Sequence, residues 1–102
     1  MKTVDVTPHW PGLLRWLVRY AQDLLSYEAA TRDVPDIDGA AITGGEDTEM
    51  YVYSGGALYR FDQGRLFPSK EFTWEELRER AYCYTEASSQ YRTFVGGEEV
   101  LD

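Results

Sequence analysis

Between Glu49 and Asp62 the chain places two runs of aromatic and β-branched residues on either side of Gly55-Gly56. That composition predicts a β-hairpin closed by a two-residue turn. With only the two glycines in the turn, Ser54 faces Ala57, Tyr53 faces Leu58, Val52 faces Tyr59, Tyr51 faces Arg60 and Met50 faces Phe61. Side chains alternate across a strand. Met50, Val52, Tyr59 and Phe61 therefore share one face, and Tyr51, Tyr53, Leu58 and Arg60 share the other. The first set is a core face. The second is unusually apolar for a solvated one. Two arrangements fit it: both helices cover the first face and leave Tyr51, Tyr53, Leu58, Arg60 and Phe67 exposed, or one helix covers each face.

The hairpin continues into a second turn at Gln63-Gly64. There Asp62 faces Arg65, Phe61 faces Leu66 and Arg60 faces Phe67: an ion pair, an apolar pair and a cation–π contact. Upstream, Gly39-Ala-Ala-Ile-Thr43 has the length of a short strand, which makes a three- or four-stranded antiparallel meander.

Helices are expected on both sides of this sheet. From about Pro11 to about Thr31, Leu13, Leu14, Leu17, Val18, Ala21, Leu24 and Leu25 form a broad apolar stripe at helical spacing. Arg15, Arg19, Gln22 and Ser26 lie opposite it. Trp16, Tyr20 and Tyr27 make a narrower aromatic strip along one edge, interrupted by Asp23. Pro11 suits the first helical position, and residues 1–10 read as an extended lead-in. Thr73-Trp-Glu-Glu76 is a capping box, with Phe72 and Leu77 as its hydrophobic staple. The helix it starts should carry Trp74, Leu77, Ala81, Tyr84 and Ser88 inward and fade near Ser88-Ser89. Gln90–Val95 is expected as an edge strand or extended segment ended by Gly96-Gly97. The fold class is α+β: an N-terminal helix, the meander, a second helix and a C-terminal edge strand. Residues 1–97 form one domain, and 98–102 are expected as a mobile acidic tail.

Charge narrows the partners. With 18 acids against 10 bases the formal net charge is −8. Direct binding to nucleic acid draws its affinity from Lys and Arg on phosphates, so none is expected. A protein with a basic surface, including a nucleic-acid-binding enzyme, is the complementary partner. No apolar run approaches the ~20 residues of a membrane span, and the start of the chain lacks an apolar signal core. A cytoplasmic location follows as the expectation, in keeping with a single cysteine, Cys83.

Catalytic and metal chemistry find little support. Asp36, Asp38 and Gly39 match three positions of an EF-hand loop, but its first position falls on Val34 and its last on Gly45. One histidine, His9, and one cysteine are too few for a zinc site, and no motif backs a Cys83–His9 nucleophile pair. The glycine pairs lack the Lys-Ser/Thr of a phosphate loop. No cofactor, metal or catalytic residue is expected.

These features describe a small acidic, non-catalytic binding protein that inhibits or regulates a larger partner. A phage or mobile-element inhibitor of a nucleic-acid-processing or defence enzyme, of the anti-CRISPR-like kind, shares this physical profile. The expected partner surface combines Asp36, Asp38, Glu46, Asp47 and Glu49 with Tyr51, Tyr53, Arg60, Trp16 and Tyr20. The alternatives are an assembly module that homodimerises or joins a complex through the aromatic sheet face, and a small enzyme or ligand binder with a pocket between helix and sheet.

Overall fold

A computed structural model of the chain describes residues 10–29, 36–44, 48–87 and 91–100. The fold is α+β. Its elements run α1 (Trp10–Ala29), β1 (Ile37–Thr43), β2 (Met50–Ser54), β3 (Ala57–Asp62), β4 (Arg65–Pro68), α2 (Trp74–Arg80), β5 (Ala81–Ala87), β6 (Tyr91–Val95) and β7 (Glu98–Val100). All seven strands join one antiparallel sheet in the order β4-β3-β2-β1-β5-β6-β7.

The expected meander is β1–β4, and the registers expected for β2–β3 and β3–β4 agree residue for residue. Ser54 pairs with Ala57 and Met50 with Phe61 in the first hairpin; Asp62 pairs with Arg65 and Arg60 with Phe67 in the second. Gly55 and Gly56 have φ of 58° and 81°, the left-handed pair that a two-residue hairpin turn requires. The Arg60 guanidinium lies 5.7 Å from the Phe67 ring centroid, as the pairing implies. The first strand starts earlier than expected, at Ile37, because a bulge between Ile37 and Gly39 lets Asp38 point outward while Ile37 and Ala40 stay in the core.

The two helices cover opposite faces, which resolves the choice left open by the hairpin. Leu14, Leu17 and Ala21 of α1 pack with Ile37, Ala40, Ile42, Val52 and Cys83, and Met50, Tyr59 and Phe61 close the margin. Gln22, expected to face solvent, instead accepts the Ile37 N–H at 2.9 Å and ties α1 to the start of β1. On the other face Trp74 and Leu77 of α2 cover Ala41, Tyr51 and Leu58. The route of the chain explains this: β4 is one edge of the sheet and β5 lies beside β1, so α2 must cross that face to connect them.

Helix α2 is shorter than its sequence pattern indicates. Its start is as expected: Thr73 Oγ1 accepts the Glu76 N–H and Glu76 Oε1 accepts the Thr73 N–H, both at 3.1 Å. It ends at Arg80, and residues 81–87, expected to continue the helix, form β5. Their alternation accounts for the switch. Cys83 and Thr85 are buried toward α1 while Tyr84 and Glu86 face α2. Tyr and Thr also favour a pleated strand. Thr85 and Thr93, buried as cross-strand partners, satisfy each other: Thr93 donates to Thr85 at 3.3 Å and Thr85 donates to the Arg92 carbonyl at 3.1 Å. The strand expected over 90–95 is β6 (Tyr91–Val95), but it is not an edge, because it lies between β5 and β7. Of the residues expected as an acidic tail, Glu98–Val100 forms β7 against β6, with Glu99 meeting Arg92 in two hydrogen bonds of 3.1 and 2.7 Å, and residues 101–102 lie outside the described residues.

Because the capping box supplies two hydrogen bonds at the N-terminus of a seven-residue helix, Thr73→Ala is expected to lower folding stability by about 1 kcal/mol. Urea denaturation of the two proteins checks this, and an unchanged midpoint would mean that the cap contributes nothing.

Candidate functional site

The residues expected to form one partner surface fall on three separate parts of the molecule. The first group is buried or held internally. Tyr51 is 0% exposed, and its hydroxyl donates to the Glu49 carboxylate. Burial, with help from that hydrogen bond, raises the phenol's pKa well above the usual tyrosine value. Tyr51 is therefore a core residue and offers no surface to a partner. Glu49 is exposed but anchored, its backbone exchanging hydrogen bonds with Thr43. Arg60 is half-buried on the same sheet face, within 3.4 Å of Asp62 and over Phe67.

The second group gathers at the β2–β3 turn. Ile37 pairs with Ser54 while Ile42 pairs with Met50, so Asp36 and Asp38 sit at the opposite end of β2 from Glu49, on the order of 15 Å away. Asp38 accepts the Gly55 N–H at 3.0 Å, and the Asp36 carbonyl accepts from Ser54 Oγ at 3.3 Å. Glu46 and Asp47 lie outside the described residues. Trp16 and Tyr20, the third group, stand on α1 on the far side of the sheet. Their rings stack at 5.3 Å and both meet Phe61 edge-on.

The turn end carries the better-formed site. A cleft of about 370 Å³ opens between the β2–β3 turn and the segment leading into α2, and Tyr53, Leu58, Phe72 and Trp74 form its apolar part. Tyr53 and Trp74 are stacked almost parallel, 5.4 Å apart with 6° between planes. Their positions follow from the fold. Tyr53 shares its sheet face with Gly39, its cross-strand partner, and the missing Cβ at Gly39 leaves room for the Trp74 ring. Trp74 Nε1 donates to Glu86 at 3.1 Å, and Arg78 donates to the same carboxylate oxygen at 2.6 Å, which fixes the ring's orientation. That hydrogen bond also holds the Arg78 guanidinium's pKa above its ordinary value.

The rim is acidic. Along the wall from Ser69 to Glu76, Glu71, Glu75 and Glu76 are exposed and Lys70 is the one base. Across the cleft, exposed Asp36 and Asp38 flank the turn. Of the residues expected at a partner surface, Tyr53 lines this cleft and Asp36 and Asp38 lie beside the turn; Trp74, Phe72 and Glu75, which also line it, were not expected there. The capping motif that contains these three reads in sequence as a structural helix start.

Cys83 is fully buried on the opposite sheet face, and burial pushes its thiol up to about 11, so the nucleophilic thiolate is disfavoured there. His9 lies outside the described residues. Among the described residues no group of three His, Cys, Asp or Glu side chains is placed to hold a metal ion, and no helix is long and apolar enough to cross a membrane. No family model matches this chain, and neither the curated proteins nor the solved structures provide a match.

Proposed function

We propose that this chain is a non-catalytic binding protein that regulates a larger protein with a basic surface, and that it engages that partner at the cleft beside the β2–β3 turn. The observation that carries this reading is the stacked Tyr53–Trp74 pair at a cleft lined by Glu75, with Asp36, Asp38 and Glu71 exposed on the adjoining segments of a chain of net charge −8. Exposed carboxylates steer a basic partner toward the site, and the half-buried Tyr53 and Phe72, backed by buried Trp74, supply the contacts that slow its release. An inhibitor of a nucleic-acid-processing or defence enzyme is a natural member of this class, since such enzymes present the basic channels that an acidic protein can occupy.

The test begins with a partner recovered by cross-linked pull-down from the native host. Asp36→Asn, Asp38→Asn, Glu71→Gln and Glu75→Gln together are expected to lower its association rate at least about tenfold at low salt and to flatten the salt dependence. Dissociation should change little. A partner whose association ignores both salt and the four carboxylates would sink the proposal.

A further inference from the structure

The aromatic strip of α1 lies on the opposite sheet face from the cleft and has no role in the reading above. Trp16 is 47% exposed, Tyr20 38% and Tyr27 87%. With the exposed Asp23 they occupy positions 16, 20, 23 and 27. These are spaced four, three and four residues apart, the spacing of a seam along which two helices pack at a shallow angle. The spacing is also the same when read backwards. A second α1 laid antiparallel, with its two-fold axis between positions 20 and 23, sets Trp16 against Tyr27 and Tyr20 against Asp23, each pair occurring twice. The contacts that result are aromatic on aromatic at the ends, with a phenol facing a carboxylate at the centre.

Charge selects the same occupant. Helix α1 carries two bases, Arg15 and Arg19, and two acids, Asp23 and Glu28, so its formal charge is zero while the whole chain is at −8. It is a neutral face on an acidic protein, poorly suited to attract a basic partner and well suited to meet its own copy without repulsion. Arg19 lies one helical turn from Asp23, beside the seam, where it also approaches the second copy's carboxylate. Phe61 meets Trp16 and Tyr20 edge-on at 5.9 and 5.6 Å, so both rings are ordered beforehand and lose less conformational freedom on association.

We infer that the chain forms a two-fold homodimer through antiparallel packing of α1 along Trp16, Tyr20, Asp23 and Tyr27. The dimer leaves both acidic clefts free, because they lie on the far face of the sheet.

Sedimentation equilibrium of the full chain tests this. Self-association is expected, and it should strengthen as sodium chloride rises, because salt screens the repulsion between two acidic chains. That is the opposite of the salt response expected for the basic partner, so the two proposals stand or fall separately. Tyr27→Ala should raise the dimer dissociation constant at least about tenfold while leaving the melting temperature of the monomer unchanged, since Tyr27 is almost fully exposed. Asp23→Arg should weaken the dimer, and Arg19→Asp combined with it should restore much of the affinity. A monomer at every concentration up to about 1 mM, or a dimer indifferent to Tyr27→Ala and Asp23→Arg, would overturn the inference. The second result would place the contact elsewhere, such as the β4 or β7 edge.

Discussion

Tyr51→Ala is expected to remove about 3–5 kcal/mol of folding stability, the range for truncating a buried aromatic. The ring is fully buried between the sheet and α2, packed with Ala41, Leu58 and Leu77, and meets Phe72 edge-on at 6.3 Å. Two effects add. Deleting the ring leaves a void that α2 fills only by shifting, and α2 is a seven-residue helix whose buried anchors are Trp74 and Leu77. Tyr51→Phe separates the ring from the hydroxyl, since it keeps the packing and removes only the hydrogen bond to Glu49. It should cost about 1 kcal/mol. Urea denaturation of the three proteins measures both quantities. A loss below about 1 kcal/mol for the alanine variant would mean that this sheet face is not core, and would return Tyr51 to the candidate surface.

The fate of Tyr51 shows which parts of the fold the sequence makes legible. The two hairpins of β2, β3 and β4 could be read to the residue because turn chemistry and side-chain alternation independently specify the same register. Which face a helix would cover could not be read, because that depends on where the chain goes after Pro68. The crossing of α2 is set by β5 entering the sheet beside β1, a pairing between residues some 40 positions apart. The end of α2 was hidden for a related reason. Trp74, Leu77, Ala81 and Tyr84 keep helical spacing, and no glycine or proline marks the change at Arg80–Ala81. In the structure Ala81 and Tyr84 still pack against the same cluster as Trp74 and Leu77, but from a strand. Position along the chain misled in the acidic segment too. Asp38 and Glu49 are close in sequence, yet Asp38 lies at the start of β1 and Glu49 follows its end, so they stand at opposite ends of the neighbouring β2.

Gly39 and Trp74 meet closely across the fold. An added Cβ at Gly39 would stand 2.6 Å from Trp74 Cζ2, 2.8 Å from its Cη2 and 3.0 Å from the Thr85 carbonyl oxygen. Neither neighbour yields easily: the carbonyl belongs to a central strand, and the indole is held by Glu86 on one side and Tyr53 on the other. Gly39→Ala is therefore expected to cost about 1–3 kcal/mol through overpacking. Trp74→Ala should cost about 3–5 kcal/mol, since it empties the space over Gly39, leaves Tyr53 without its stacking partner and removes a hydrogen bond to Glu86. The two changes are coupled because one creates the space that the other needs. In the double variant the new methyl enters the cavity left by the indole, so its loss of stability should fall short of the sum of the single losses by about 1 kcal/mol or more. Strict additivity would show that the indole does not rest on Gly39, and would remove the physical reason for Trp74 standing where it does in the cleft. The same variants bear on function. Gly39→Ala displaces the Tyr53–Trp74 pair without touching a carboxylate, so it should speed dissociation of the basic partner and leave association and its salt dependence intact.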